Sequence, residues 1–274
     1  MTFDALPARS GESSPLVLPV LRPDWPAPAQ VQALCTTRAG GVSQAPFDSL
    51  NLGLHVQDNA QAVMHNRALL QQHCGARPVF LSQVHGTDVA HIDALTTDGL
   101  AADACWSDHV HLACTIMVAD CLPVLFTDRR GQVVAAAHAG WRGLAAGVLE
   151  NTLRTLCEAA HCDPSEVLAW LGPCIGPHAF EVGEDVLRAF DSSATLTATT
   201  SASETFFRPT GQAVKWWADL AALARWRLRL AGITQLYGND STETWCTVTQ
   251  SQRFFSYRRD GRTGRFAVCI WRSL

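Results

Sequence analysis

Three residues with metal-binding side chains, His85, Cys121 and His138, each follow a short apolar segment of the chain. Cys121 comes after the segment Thr115–Val118, and His138 comes after Gln132–Ala137. Two imidazoles and one thiolate form a donor set that suits zinc and leaves a fourth position open for chemistry. The three residues are far apart in the chain, so spacing alone leaves open the alternative of ordinary hydrogen-bonding histidines at strand ends.

A possible anion site lies next to the last of these residues. The loop His138–Gly143, HAGWRG, leads into residues 144–160, whose apolar positions recur at helical spacing. Free N–H groups at a helix N-terminus attract anions, and Arg142 could add a bidentate contact. Alternatively, the glycines only permit a tight turn and Arg142 faces solvent. Arg38, beside a Gly-Gly turn, allows the same two interpretations.

Two other groupings of reactive side chains have weaker support. One set lies within ten residues of the chain: Cys105, His109, His111 and Cys114. Side chains alternate between the two faces of a strand, and the turn-bearing CxxC pair of compact zinc sites is missing, so we interpret this set as incidental. Cys174 and His178 could form a nucleophile–base pair, but nothing in the sequence indicates a lowered thiol pKa. We predict a buried loop cysteine there.

Composition narrows the class of protein. The chain has 274 residues, of which 47% are hydrophobic and 17% charged, as in ordinary globular proteins. A net charge of −4 argues against a nucleic-acid-binding surface. No apolar run reaches the ~18 residues of a transmembrane helix, and the N-terminus lacks a secretory pattern. We therefore interpret the ten cysteines as reduced thiols and expect a cytoplasmic protein.

Hydrophobic periodicity predicts an α/β chain. Apolar runs bounded by Gly and Pro predict strands at Val31–Thr37, Val79–Val84, Thr115–Val118, Val124–Thr127, Gln132–Ala137 and Val167–Gly172. Helical spacing predicts helices at Asp58–Cys74, Leu144–Ala160, Glu184–Phe190 and Val214–Ala231. Gly261 and Gly264 predict a hairpin that leads into a final buried strand.

Two segments are predicted to lie outside the packed core. Residues 1–30 contain six prolines and no sustained period, which predicts an extended N-terminal arm before a single domain over 31–274. Residues 191–204 are low in complexity and predict an exposed excursion.

Seven motifs together resemble one family: TTRAGGVS (36–43), SLNLGLHVQDN (49–59), LSQVHGTDV (81–89), VADCLPVLF (118–126), AAHAGWRGL (136–144), LGPCIGP (171–177) and RFFSYRRDGRTGR (253–265). The chain is similar to bacterial proteins described first as polyphenol oxidases or laccase-domain proteins and later as purine nucleoside phosphorylases. A vertebrate macrophage immunometabolic enzyme is similar to them. The resemblance covers about residues 31–271 and implies a single-domain α/β/β/α sandwich, related to a bacterial toxin's cysteine-hydrolase domain.

The resemblance also implies a site and an activity. The family's metal ligands stand in this chain as His85, Cys121 and His138, which would serve both metal binding and catalysis. Zinc, with copper as the other possibility, would support phosphorolysis of purine nucleosides, including methylthioadenosine, and deamination of adenosine. We expect substrate or phosphate contacts from four residues: Arg38, Asn51, Gly140 and Arg142. Where family members often carry a Cys-Cys or Cys-Tyr pair, this chain has His178-Ala179-Phe180.

The sequence leaves three other functions open. Two histidines and a cysteine also suit copper, which would make the protein a laccase-like polyphenol oxidase. None of the methionines stands out as an axial copper ligand, and only one HxH pair occurs, at His109 and His111. Cys121 could instead be the nucleophile of a cysteine hydrolase. Finally, the chain could bind metal without turning over a substrate. The oligomeric state stays open.

Overall fold

The computed structural model describes residues 18–191 and 202–273. Most of the predicted arm over 1–30 and of the predicted excursion over 191–204 lies outside these described residues. Within the described part of the first segment, Leu18 is buried, and strand β1, Val20–Leu21, pairs with the next strand of the chain.

The secondary structure is mixed α/β. The remaining strands are β2 (Val31–Thr36), β3 (Arg77–Phe80), β4 (Val89–His91), β5 (Ala104–Ser107), β6 (Leu112–Val118), β7 (Leu122–Asp128), β8 (Val134–Ala139), β9 (Val167–Leu171), β10 (Glu181–Gly183), β11 (Phe207–Pro209), β12 (Lys215–Ala218), β13 (Gln235–Gly238) and β14 (Phe266–Arg272). The helices are α1 (Ala60–Cys74), α2 (Trp141–Ala146), α3 (Val148–Ala160), α4 (Glu184–Asp191), α5 (Ala202–Phe206), α6 (Leu220–Leu230) and α7 (Tyr257–Asp260).

The elements form the four layers that the resemblance implied. One sheet has the strand order β1-β2-β14-β6-β3, and the other has the order β13-β9-β7-β8-β5-β4. Apolar residues of both sheets share one core between them, while α1 covers the outer face of the first sheet and α3 and α6 cover that of the second. A small third sheet, β10-β12-β11, shares its apolar core with α3 and α6. The single α/β domain is therefore confirmed.

Strand β6 shows why this sequence supports two stacked sheets. Its alternate residues Cys114, Ile116 and Val118 face the core between the sheets, whereas Ala113 and Met117 face α1. A strand buried on both faces needs a continuous apolar run rather than alternation with polar residues, and LACTIMV supplies one. The strands predicted over 31–37, 115–118, 124–127 and 167–172 are confirmed as β2, β6, β7 and β9.

Four predicted elements have different boundaries or structures. The strand predicted over 79–84 is β3, Arg77–Phe80, so His85 lies in a loop beyond the end of that strand. The helix predicted over 144–160 is split into α2 and α3 by Gly147, whose φ of 102° lies in the left-handed region that glycine adopts readily. The helix predicted over 214–231 begins only at Leu220, after Asp219 caps it, and β12 precedes it. The predicted hairpin around Gly261 is instead the short helix α7 and a loop before β14.

The predicted helices over 58–74 and 184–190 are confirmed as α1 and α4. Asn59 caps α1 by accepting hydrogen bonds from the N–H groups of Gln61 and Ala62, as an N-cap residue should. Among the described residues, none of the helices has the length and apolar character needed to cross a membrane.

Candidate functional site

His138 and Asp103 meet on the edge of the core between the sheets. Val134 and Ala136 of β8 face this core, so alternation along the strand turns His138 to the same side. The sequence predicted His138 in a loop after the strand, but it lies within β8. Asp103 stands beside it across the β5–β8 pair, and its Oδ1 lies 2.8 Å from Nδ1 of His138. Both side chains are buried.

The same carboxylate also positions His85. Asp103 accepts hydrogen bonds from the backbone N–H groups of Val84, His85 and Gly86 at 3.0, 2.9 and 2.6 Å. His85 has a φ of 63°, an uncommon conformation for a residue with a side chain, and these three bonds hold it there. Asp103 therefore fixes the ring of one histidine and the backbone of the other.

Cys121 lies in the tight connection between β6 and β7. The preceding residue, Asp120, has a φ of 99° and a buried carboxylate. That carboxylate accepts a hydrogen bond from Oγ1 of Thr247 at 2.6 Å and another from the N–H of Arg258 at 2.6 Å. The connection is thus tied to two distant segments, which fixes where the thiol points.

The structure brings His85, Cys121 and His138 together. Their ligand atoms all lie within 4.8 Å of one another, and Sγ of Cys121 is 3.8 Å from Nε2 of His85. In a tetrahedral zinc site, a sulfur and a nitrogen ligand are about 3.6 Å apart. His138 uses Nδ1 for Asp103 and so keeps Nε2 for an ion, the arrangement common to metal-binding histidines. The residues therefore fit a zinc-type ion.

Gly140 leaves the space that this convergence needs. A Cβ atom at this position would lie 2.7 Å from Cδ2 of His85 and 3.1 Å from Sγ of Cys121. Its φ of −66° and ψ of 158° are open to any residue, so the requirement for glycine is steric and comes from the site itself.

Burial and charge act against each other on these side chains. Burial, the largest influence on Cys121, raises the pKa of its thiol, but His138 and His85 together lower that pKa to about 6. Burial lowers the pKa of His138, but Cys121 and Asp103 outweigh it and raise that pKa to about 9. These opposite shifts favour a thiolate beside an imidazolium when no metal is bound.

A cavity of about 460 Å³ opens onto the three side chains. Arg265, His55 and the largely exposed ring of Tyr257 contribute to its wall. Among the described residues, no carboxylate forms an ion pair with Arg265, whose guanidinium donates to the backbone carbonyls of Thr263 and Gly264. Burial, with help from Arg265, lowers the pKa of His55. The cavity thus offers a fixed positive charge and a neutral imidazole beside the candidate metal ligands.

The four residues expected to contact substrate or phosphate are dispersed. Arg38 donates to the backbone carbonyls of Asp48 and Ser251 and to the Asp48 carboxylate. Asn51 is buried and donates to Asp58 and to the Gly53 carbonyl.

The other two of these residues lie at the start of α2. Gly140 contacts the candidate ligands, and the exposed Arg142 has its guanidinium carbon 4.2 Å from the centre of the Trp141 ring. Neither Arg38, Asn51 nor Arg142 contributes to the wall of the cavity.

Within the part of the chain that the structure describes, the rival set of Cys105, His109, His111 and Cys114 does not come together as a metal-binding group. Cys105 and Cys114 are buried in the core between the sheets, away from the exposed His109. Cys174 is also buried, which raises the pKa of its thiol well above the ordinary value, as expected for a structural cysteine. Its Sγ accepts a hydrogen bond from the amide of Asn239.

Sequence reasoning missed Asp103, Arg265 and Met117. Asp103 directly precedes β5, and its place beside His138 depends on the pairing of β5 with β8, which the sequence does not reveal. Arg265 is hidden among the arginines of RRDGRTGR, which spacing alone cannot tell apart. Met117, passed over as a copper ligand, contributes to the cavity wall, and its sulfur accepts from Arg67 at 3.9 Å.

Comparison with known proteins gives one family and many similar chains. Residues 32–273 match the family described as multi-copper polyphenol oxidoreductase laccase. The Pseudomonas aeruginosa protein named purine nucleoside phosphorylase PA4543 is 51% identical over 92% of this chain and 97% of its own length. Purine nucleoside phosphorylase YfiH of Escherichia coli is 47% identical over 91% and 97%.

Solved structures agree in fold. The Neisseria meningitidis protein NMB0706 superposes with a TM-score of 0.85 at 48% identity, over 93% of this chain and 99% of that one. YlmD from Geobacillus stearothermophilus gives a TM-score of 0.84 at 31% identity, over 93% and 96%.

Proposed function

The chain belongs to the multi-copper polyphenol oxidoreductase laccase family, and from that premise we propose that it is a metal-dependent purine nucleoside phosphorylase. The observation that carries this proposal is the 51% identity, over nearly the whole of both chains, to a protein with that name. The cavity beside His85, Cys121 and His138 supports it, because the cavity joins a candidate metal site to a positive charge and an aromatic ring.

We assign the ion to zinc, held by His85, Cys121 and His138, with copper as the alternative that the family description suggests. A divalent ion there supplies Lewis-acid polarisation of an oxygen atom. The donor set favours zinc over Mg²⁺ or Ca²⁺, because these hard ions prefer oxygen ligands. Elemental analysis of purified protein that has been dialysed against buffer should give about one zinc per chain, and copper in its place would support the oxidase.

In phosphorolysis, a phosphate oxygen attacks C1′ of the ribose, the bond from C1′ to the purine nitrogen breaks, and the base leaves with its bonding electrons and takes up a proton. Arg265 is the cavity's cation and would hold the phosphate by charge-assisted hydrogen bonds. His55, kept neutral by burial, would donate a hydrogen bond. The exposed ring of Tyr257 would cover the flat face of the purine.

The loop before α2 remains the other candidate for phosphate binding. Arg38, Gly140 and Arg142 were expected to hold the anion there, and of these only Gly140 contacts the candidate ligands. Arg265→Met should therefore raise the apparent KM for phosphate by about tenfold or more, the usual loss for a charged hydrogen bond. Arg142→Met should have a smaller effect. A larger rise in the KM for phosphate in Arg142→Met than in Arg265→Met would instead assign the phosphate to the loop before α2.

The decisive experiment measures the release of free base from inosine and adenosine with and without phosphate. We expect release to require phosphate, and to stop when a chelator removes the metal. Base release that is independent of phosphate would overturn the proposal. We extend the proposal to methylthioadenosine and to hydrolytic deamination of adenosine, which the same assays would detect. We place the enzyme in the cytoplasm, because all ten cysteines are free thiols.

A cysteine hydrolase is the second candidate, and one observation favours it. Cys121, His138 and Asp103 form a thiol–imidazole–carboxylate series, with 2.8 Å between the last two groups. Here Cys121 would attack an acyl carbon, the bond from that carbon to the leaving group would break as His138 gives the leaving group a proton, and water would then release the acyl group from Cys121. The two candidates respond in opposite ways to a chelator, which would abolish a metal-dependent phosphorylase but would free Cys121 of a hydrolase to react.

A further inference from the structure

A second group of ligand-type side chains lies on the surface, outside the site described above. His91 ends β4, and Asp108 and His109 follow β5. One atom of each lies within 4.8 Å of the others. Nε2 of His91 and Nε2 of His109 lie 3.4 and 3.7 Å from the same oxygen, Oδ1 of Asp108. We propose that this His–Asp–His cluster is a second, solvent-facing binding site for a divalent transition metal such as zinc or copper.

The separations fit a shared ion. Zinc binds imidazole nitrogen at about 2.0–2.1 Å and carboxylate oxygen at about 2.0–2.2 Å, so tetrahedral neighbours are about 3.3–3.5 Å apart. The observed 3.4 Å is within that range, and the observed 3.7 Å requires only a small closure of two exposed side chains. Two imidazoles and one carboxylate favour zinc, copper or nickel and give no advantage to magnesium or calcium.

The ring of His91 and the backbone of His109 are held in place before any ion arrives. The ring of His91 stacks on Trp106 at 4.1 Å between ring centres and an angle of 25°. The buried hydroxyl of Ser107 donates to the carbonyl of Ile92 at 2.8 Å and accepts the N–H of His109 at 3.2 Å. The ends of β4 and β5 are thereby tied together. Fixed ligands lose less conformational entropy on binding, which favours affinity.

The backbone of the acidic residue is anchored separately. Arg272, at the end of β14, donates to the main-chain carbonyl of Asp108. Among the described residues, the ion pairs of the Asp108 side chain are with His91 and His109, both of which would share the ion with it. The ligand-type atoms of His91, Asp108 and His109 therefore already face one another at the surface.

This site is independent of the candidate catalytic centre. Asp103 precedes β5 and Asp108 follows it, and the five residue steps between them span about 16 Å of extended chain. Two ions that far apart share no ligand and form no joint centre. A metal content above one per chain would thus reflect two separate sites rather than a multi-metal cluster.

The test is a calorimetric titration of tag-free, chelator-stripped protein with Zn²⁺. We expect two binding events, with the weaker one lost in the double variant His91→Phe/His109→Ala, in which the phenyl ring keeps the stack on Trp106. The control His65→Ala removes an exposed histidine of α1 and should keep both events within twofold of the parent affinities. A single event in the parent protein, or two events in the double variant, would overturn the proposal.

A spectroscopic measurement keeps the test decisive if the double variant does not fold. The variant Cys121→Ser/His138→Ala disables the candidate catalytic centre and leaves the surface cluster intact. Its spectrum by electron paramagnetic resonance with one equivalent of Cu²⁺ should show coupling to imidazole nitrogens. A spectrum of copper with only oxygen and water ligands would contradict the assignment.

Discussion

Substituting Gly140 by alanine adds one methyl group at the point where the candidate ligands converge. The added Cβ would lie 2.7 Å from Cδ2 of His85, whereas carbon atoms in contact normally stay about 3.5–4.0 Å apart. His85 must therefore retreat by about 1 Å. Metal–ligand distances in well-formed sites vary by only about 0.2 Å, so the displaced nitrogen can no longer serve as a good ligand.

We expect Gly140→Ala to weaken zinc binding by at least about 100-fold, or about 2.7 kcal/mol. Altering a residue that only supports a metal ligand usually weakens metal binding by roughly 10–100-fold. Gly140→Ala displaces a ligand itself, so we expect a loss at or above the upper end of that range. The assay is competition for zinc against a chromophoric chelator of known affinity. Phosphorolysis at fixed total zinc should fall in parallel.

Gly86→Ala is the matched control, because it adds the same methyl group to the loop that carries His85. Its Cβ would meet nothing closer than 3.5 Å, at Oδ2 of Asp103, which is ordinary van der Waals contact. The backbone N–H of residue 86 is retained, so its hydrogen bond to Asp103 survives. Zinc affinity of this control should stay within threefold of the parent. If Gly140→Ala bound zinc equally well, the ion would not be held by these three side chains.

Three further results follow from the site. Asp103→Asn should weaken zinc binding by about 10–100-fold, since the amide cannot support both histidines, and an unchanged affinity would refute that role. In stripped protein, alkylation of Cys121 should require the thiolate and so be lost as the pH falls through about 6. Zinc should suppress it, and equal rates with and without zinc would favour the hydrolase. Asp120→Ala should lower the free energy of unfolding by about 3 kcal/mol, because Thr247 and the N–H of Arg258 lose a buried acceptor. A change below about 1 kcal/mol in urea titrations would contradict this.

The strands of the two sheets could be predicted in part from the sequence, because strands that are buried on both faces are apolar over most of their length. LACTIMV and VAAAHA are apolar apart from Thr115 and His138, which indicates strands covered on both faces. Periodicity cannot tell which strands pair, and the β2–β14 and β14–β6 neighbours join residues far apart in the chain. The split of the helix at Gly147 also escaped periodicity, because the apolar spacing continues across it.

The candidate ligands were predictable as types of residue but their supports were not. His85, Cys121 and His138 stand out because each ends an apolar run or lies within one. Asp103 and Asp120 are ordinary aspartates in sequence, and their roles come from contacts with residues 35 and 127 positions away. The same limit explains Arg38, whose donors are taken by loop carbonyls that no local pattern reveals.

The charges at the site favour a bound cation over a free nucleophile. Asp103 carries a carboxylate whose pKa is held down, against its burial, by His138 and by backbone N–H groups. The Cys121 thiolate adds a second negative charge above about pH 6. In the absence of metal, Cys121 and Asp103 raise the pKa of His138, and the proton that its imidazole then keeps compensates only one of these two negative charges. A divalent ion would replace that proton and neutralise both charges in a setting of low polarity, where unbalanced charge is costly. The arrangement of His85 and His138 around the thiol is therefore explained more fully by a metal than by a thiol–imidazole pair alone.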